Sequence, residues 1–207
     1  DELPAYAFPA ANAPILTAAR LPTRYLITPD VPDEEELFAG LRAAQDAGIR
    51  LVQLRQTQLD AAAYAGLAER VMDRFGSAFI WMLKGDIPPR HADVGWHLTS
   101  RQLATLAASG WKRDDRLSWL AASCHNEREL ELATQIGADF VTLSPISTTD
   151  SHPGAPALGW GGAAEMMGRI NVPVFLLGGM TEPDLPKAFE TGAQGIAAIS
   201  ALWAGRR

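Results

Sequence analysis

One cysteine, Cys124, stands in 207 residues. That excludes an internal disulfide and any zinc cluster built on several thiolates, and it fits a reducing compartment. Positive charge is also in short supply. The 18 Lys and Arg are outnumbered by 24 Asp and Glu, for a net charge of −6, and they are scattered rather than clustered. A nucleic acid or an anionic membrane is therefore excluded as the partner of this chain. No apolar run is long enough to span a bilayer or to serve as a secretory core, so the chain reads as soluble and cytoplasmic. Several motifs are missing as well. There is no G-x-G-x-x-G turn, no Walker lysine loop and no G-x-S-x-G elbow around Ser123. No H-x-x-x-H pair or carboxylate at ligand spacing makes zinc ligands of His91 or His97.

What is present is alternation. Short apolar runs at Tyr25–Thr28, Leu51–Leu54, Phe79–Leu83, Gly95–Leu98, Leu117–Ala122, Phe140–Leu143, Val174–Leu177 and Ile196–Ile199 read as eight buried strands. Amphipathic segments separate most of them: Asp33–Ala47, Asp60–Phe75, Arg101–Ala108, Glu127–Ile136, Gly161–Arg169 and Asp184–Thr191. Eight strand–helix units at this length predict an α/β fold, a single (β/α)₈ TIM barrel over residues 21–207. The third βα unit is expected to be irregular, because Gly85 to Asp93 is too rich in proline for a full helix. Asp1 to Arg20, rich in Ala and Pro and without an initial methionine, reads as a linker or the remnant of a preceding domain.

In such a barrel the chemistry belongs at the C-terminal strand ends. The stretch Asp139-Phe-Val-Thr-Leu-Ser-Pro-Ile-Ser-Thr-Thr-Asp-Ser-His-Pro-Gly154 carries a strand straight into a hydroxyl-rich loop. Pro173-Val-Phe-Leu-Leu-Gly-Gly-Met180 and Gly195-Ile-Ala-Ala-Ile-Ser200 likewise end in small residues or a hydroxyl. Three such ends in series imply one shared pocket. Gly178, Gly179 and Ser200 are candidates for binding phosphate through backbone amides, aided by a short helix from Ala201; otherwise the glycines only turn the chain. Gln53 and Arg55 share a strand face, and the arginine fork suits phosphate or carboxylate as well as it suits an ion pair with a barrel helix. Lys84, Thr149, Ser151 and His152 stand at further strand ends. His125, after the fifth strand, is either a proton-transfer group or a capping histidine. The tryptophans read as packing residues, with Trp160 closing the loop after strand six.

Tyr25-Leu-Ile-Thr-Pro29, Val52-Gln-Leu-Arg55, Trp96-His-Leu98, Ser123-Cys-His125, Ser144-Pro-Ile146, Gly178-Gly-Met180 and Gly195-Ile-Ala-Ala-Ile-Ser200 together resemble the thiamine-phosphate synthase/TenI-like superfamily. Ser151-His-Pro-Gly154, Leu158-Gly-Trp160 and the leader Pro9-Ala-Ala-Asn-Ala-Pro-Ile-Leu16 are most similar to the synthase-like domain that follows a MutT-type Nudix hydrolase domain, so a covalently linked Nudix partner is implied. By that resemblance Gln53, Arg55, Thr149 and Ser151 line the side of a pyrimidine diphosphate, and Gly179, Ile199 and Ser200 hold a thiazole phosphate. The synthases hold Mg²⁺ with Asn-Asp after strand three and Asp after strand four; here those positions are Lys84, Gly85 and Arg101, and Asp86 alone is a poor substitute. His152 and Thr57 stand where the synthases have lysines. No metal ligand is therefore assigned. The expected function is a TenI-like or degenerate synthase barrel binding a phosphorylated heterocycle, with His125 as proton shuttle. A silent ligand-sensing module acting on the Nudix domain and a true thiamine-phosphate synthase are the alternatives; a homo-oligomer is left open.

Overall fold

The protein was described from a computed structural model, which covers residues 13–91, 93–150 and 153–203. Eight parallel strands, β1 (Arg24–Ile27), β2 (Leu51–Leu54), β3 (Ile80–Leu83), β4 (Val94–Leu98), β5 (Leu120–Cys124), β6 (Phe140–Leu143), β7 (Val174–Leu176) and β8 (Gly195–Ala198), pair in sequence order and close on one another. Closure at β8 and β1 depends on a glycine. A Cβ on Gly195 would overlap the Thr23 carbonyl, which instead accepts a 3.0 Å hydrogen bond from the Ile196 N–H.

Helices α2 (Glu34–Asp46), α3 (Ala61–Phe75), α4 (Ser100–Ala108), α5 (Glu127–Gln135), α6 (Gly159–Met167) and α7 (Leu185–Thr191) follow β1, β2, β4, β5, β6 and β7. Side chains start four of them. Asp33, Asp60 and Asn126 each accept from a backbone N–H in the first turn of α2, α3 and α5, and Thr99 forms a capping box with Gln102 at α4. The strand periodicity of two then sorts the side chains. Leu26, Val52, Leu54, Trp81 and Leu83 pack outward under α2 and α3, and Leu98, Leu120, Val141 and Leu176 under α4 to α7. Inside the barrel Tyr25, Phe140 and Phe175 meet edge to face with ring centroids 5.5 Å apart, beside Leu51, Met82, Ala121 and Ala197. This aromatic layer fills the lower barrel and leaves the polar residues above it.

The expected third irregularity is present: among the described residues no helix joins β3 to β4. Other boundaries differ from the sequence expectation. The fifth strand is Leu120–Cys124 rather than Leu117–Ala122, because Leu117 closes a turn onto the Asp114 carbonyl. Helix α6 begins and ends two residues earlier than Gly161–Arg169. The segment read as a linker contains a helix, α1 (Ala13–Arg20). It lies at the N-terminal barrel mouth, where Gln194 Nε2 donates to the Ala18 and Leu21 carbonyls at 3.0 Å and Arg20 stacks 5.1 Å from the Trp119 ring. In place of the helix expected from Ala201, a turn brings the Trp203 N–H to the Ser200 carbonyl. Trp203 then packs into space that Gly40 of α2 leaves open. No helix among the described residues is long and apolar enough to cross a membrane.

Candidate active site at the C-terminal barrel mouth

A buried polar relay crosses the upper barrel. Gln53 Nε2 donates to the Tyr25 hydroxyl at 3.1 Å, Tyr25 lies 2.7 Å from His97 Nδ1, and His97 Nε2 lies 3.0 Å from Ser123 Oγ. Burial holds the His97 imidazole well below its ordinary range, with the Lys84 charge adding to the effect, so the ring is neutral. Burial also pushes the Tyr25 phenol up, keeping its proton on. The hydrogen bond from Gln53 then sets the direction of the chain. Tyr25 accepts from Gln53 and donates to Nδ1, so Nε2 carries the ring proton and donates to Ser123, whose own proton remains available. Beside Ser123, the buried Thr142 hydroxyl has no hydrogen-bond partner.

The ends of β5 to β8 converge on one pocket of about 410 Å³, which brings together His125, Ser144, Thr149, Gly178, Gly179, Ile199 and Ser200. The two glycines have positive φ, 107° and 71°. They also have a packing reason to be glycine: a Cβ on Gly178 would stand 2.9 Å from the Ile146 nitrogen, and one on Gly179 3.1 Å from Ser147 Cβ. The loop after β6 thus lies directly on the end of β7, bonded through Ile146 N–H to the Leu177 carbonyl and Ser147 N–H to the Gly178 carbonyl. The Ser144–Pro145 peptide within that loop is cis.

His125 precedes the N-cap of α5 and is gripped by Glu129 from the first turn. Glu129 Oε2 accepts from the His125 backbone N–H at 2.6 Å and lies 3.0 Å from Nδ1. With Nδ1 so held, Nε2 is the ring atom left for a ligand, which is the arrangement a proton-transfer histidine needs. Cys124, one residue earlier, faces outward into the packing and burial raises its thiol pKa, so it is a core residue rather than a nucleophile.

The remaining candidates are elsewhere. Gln53 is inside the relay. Arg55 and Lys84 line a separate cavity between α3 and the 85–91 loop. Arg55 is 3.8 Å from Asp30 in the loop after β1, so its acidic contact is with a loop and not with a barrel helix. Lys84 is pushed down to about 8, first by burial and then by the Arg55 charge. Ser151 and His152 lie outside the described residues. Trp160 belongs to α6, where Lys187 stacks 4.9 Å from its ring. Sequence reading missed Tyr25 and the pairing of His97 with Ser123. A tyrosine, a glutamine, a histidine and a serine, each at an inward strand position, were the available signal.

Among the described residues no three His, Cys, Asp or Glu side chains group to hold a metal.

The sequence profile of thiamine monophosphate synthase matches residues 24–202, which takes in the whole barrel. The chain belongs to this family. Within it, the chain is 34% identical over 172 residues to a putative thiamine-phosphate synthase of Geobacter sulfurreducens, covering 81% of this chain and 79% of that protein. It is 32% identical over 183 residues to putative thiamine-phosphate synthase 2 of Aquifex aeolicus, covering 87% and 97%. The thiamine phosphate pyrophosphorylase of Pyrococcus furiosus has the same barrel fold, at a TM-score of 0.65 and 20% identity, with 86% of each chain covered.

Proposed function

We propose that this barrel is a thiamine-phosphate-synthase-type enzyme that takes a thiazole phosphate into the β5–β8 pocket and couples its ring nitrogen to the methylene carbon of a pyrimidine diphosphate, breaking the carbon–oxygen bond to the diphosphate, which leaves as pyrophosphate. The observation that carries this reading is the single 410 Å³ pocket in which Gly178, Gly179, Ile199 and Ser200 meet His125, in a chain whose relatives are thiamine-phosphate synthases. Backbone amides at the ends of β7 and β8 receive the phosphate. Gln53, Ser123 and Thr142 offer hydrogen bonds to a pyrimidine above the aromatic layer. Arg55, Lys84 and Thr149 supply the positive charge and a hydroxyl on the diphosphate side, and Ser151 is proposed beside them on the resemblance alone.

A second reading is favoured by the His125–Glu129 pair and by the missing carboxylates after β3 and β4: proton transfer on a bound thiazole phosphate, with His125 as the shuttle. One experiment separates the two. The protein is mixed with thiazole phosphate and aminopyrimidine diphosphate in D₂O, with and without Mg²⁺, and followed by NMR. Formation of thiamine phosphate supports the synthase reading. Deuterium exchange or isomerisation of the thiazole without coupling supports proton transfer, and binding with neither overturns both in favour of a silent ligand module. A Nudix domain ahead of the barrel is proposed on the resemblance of Ser151-His-Pro-Gly154, Leu158-Gly-Trp160 and the leader alone.

A further inference from the structure

The connection from β3 to β4 carries no helix among the described residues, and its chain forms a ridge between two hollows. On one side is the cavity against α3; on the other is a groove of about 500 Å³ whose far wall is the 111–117 loop, and Ile87, Pro88, Pro89 and Arg90 border both. The ridge is held at its ends. The Gly85 carbonyl accepts from Trp96 Nε1 at 3.0 Å and from Gln102 Nε2 at 2.8 Å, while His91 Nε2 meets Glu69 Oε1 on α3 at 2.7 Å. Trp96 also packs edge to face on Trp111 in the far wall, with ring centroids 6.1 Å apart, so one side chain fixes both ridge and groove. A surface held in this way is ordered before anything docks on it.

Apolar surface is left open here. Ile87, at 65% exposure, is the more exposed of the two large apolar side chains that stand out among the described residues, Pro88 is exposed beside it, and Trp111 is half-buried across the groove. Single exposed apolar residues are ordinary, but these adjoin one another around a groove. Charge brackets them. The ridge reads Asp86-Ile87-Pro88-Pro89-Arg90, and the side chains of Asp86 and Arg90 are exposed with no ion pair or hydrogen bond among the described residues. This order complements itself when reversed. Two copies related by a two-fold axis at Pro88 set Asp86 of each against Arg90 of the other, and Ile87 of each against Pro89 of the other. The prolines have no N–H to donate, so such a pairing packs side chains rather than extending a sheet.

We propose that this ridge is the two-fold contact of a homodimer, in which Ile87 of each copy enters the groove beside Trp111 of the other and Asp86 pairs with Arg90 across the axis. An isologous contact needs a surface that complements itself. This one carries both charges, and both the projection and the groove that receives it. Neither Arg55 nor Lys84 borders the 500 Å³ groove, so the contact is apart from the diphosphate side and does not rest on the synthase reading.

The test is sedimentation velocity on the full chain, from micromolar to submillimolar concentration, for the wild type and for I87D, D86R, R90D and D86R/R90D, each checked for folding by circular dichroism. The wild type is expected to pass from monomer to dimer over this range. I87D should weaken the dimer about tenfold or more, because it drives a carboxylate into an apolar groove. D86R and R90D each set like charges across the axis and should weaken it by about tenfold. D86R/R90D, with the net charge of the wild type, should restore it, and mixing D86R with R90D should give a heterodimer in which every charge is paired. A wild type that stays monomeric throughout would overturn the proposal and leave the ridge to a different protein. A dimer that persists unweakened in I87D, or in both single charge variants, would overturn it by placing the contact on another face. So would a D86R/R90D dimer no tighter than those of the single variants.

Discussion

The Tyr25 hydroxyl lies 2.7 Å from His97 Nδ1, at the boundary between the aromatic layer of the barrel and the polar residues above it. The contact joins β1 to β4 across the interior, between strands that are not hydrogen-bonded neighbours. It sets the tautomer of the histidine and, through His97 Nε2, turns Ser123 toward donating.

Tyr25→Phe removes the acceptor of Gln53 Nε2 and the donor to His97 in one step. Two buried polar groups are then left unpaired, at a cost of about 1–3 kcal/mol each. Urea unfolding is expected to show a loss of at least about 1 kcal/mol with an unchanged m-value, since the barrel itself survives. A variant as stable as the wild type would mean that water takes over both bonds.

His97 makes stability fall on the acid side. Its folded pKa lies well below the unfolded one, so below about pH 6.5 the unfolded chain takes up a proton that the folded chain refuses. The stability present above pH 6.5 is therefore lost as pH falls, with a slope of at most about 1.4 kcal/mol per pH unit from this group. Unfolding measured from pH 7.5 to 5.5 should show a steeper loss in the wild type than in His97→Gln. Parallel curves would show that folded His97 takes up its proton in step with the unfolded chain, so that burial does not hold its pKa down.

Ser200 offers a cleaner test of the phosphate site than the glycines do. At Gly178 and Gly179 positive φ and the contact with the loop after β6 make any substitution a test of folding as well. Ser200→Ala should weaken thiazole phosphate less than about threefold, because the backbone amides remain, whereas Ser200→Asp sets a carboxylate against the anion and should cost about tenfold or more. Equal affinity of wild type and Ser200→Asp by calorimetry would move the phosphate elsewhere.

The barrel was legible because buried strands alternating with amphipathic helices leave few other closed solutions, and proline between Gly85 and Asp93 announced the missing helix. The shared pocket of β6 to β8 was legible for the same reason: topology alone brings those strand ends together. The relay was not. Tyr25, Gln53, His97 and Ser123 are far apart in sequence, and only the inward pleat of β1, β2, β4 and β5 collects them. Nor could spacing reveal that Lys84 and Arg55 leave the pocket for a side cavity, since that follows from a helix that is absent. The α1 cap was obscured by an Ala- and Pro-rich composition that serves linkers and short helices alike.

Lys84 carries a pH signature opposite in side to that of His97. Its folded pKa, near 8, is below the unfolded value, so the charged ammonium destabilises the fold below pH 8, and the penalty fades as pH rises from 8 to 10.5. Lys84→Met should be more stable than the wild type by on the order of 2 kcal/mol at pH 7, with the difference closing by pH 10. The comparison cancels the tyrosines, including Tyr64, which burial pushes up to about 12. A pH-independent difference would mean that Lys84 is solvated and not held beside Arg55.

His125 and Glu129 are coupled through two contacts, 2.6 Å to the backbone N–H and 3.0 Å to Nδ1, and the consequences of breaking each half differ. His125→Gln removes the only imidazole that the described residues bring to the β5–β8 pocket. If the histidine moves protons, deuterium exchange into bound thiazole phosphate should fall by about a hundredfold or more, while affinity stays within about twofold because the anion is held at β7 and β8. Glu129→Gln keeps an acceptor for the backbone N–H but loses the negative charge beside the ring, so exchange should fall less, with KM unchanged and kcat reduced. Loss of affinity in His125→Gln with exchange per bound ligand unchanged would make the histidine a ligand contact rather than a proton carrier. Equal and total loss in both variants, with α5 frayed by circular dichroism, would reduce the pair to a capping device.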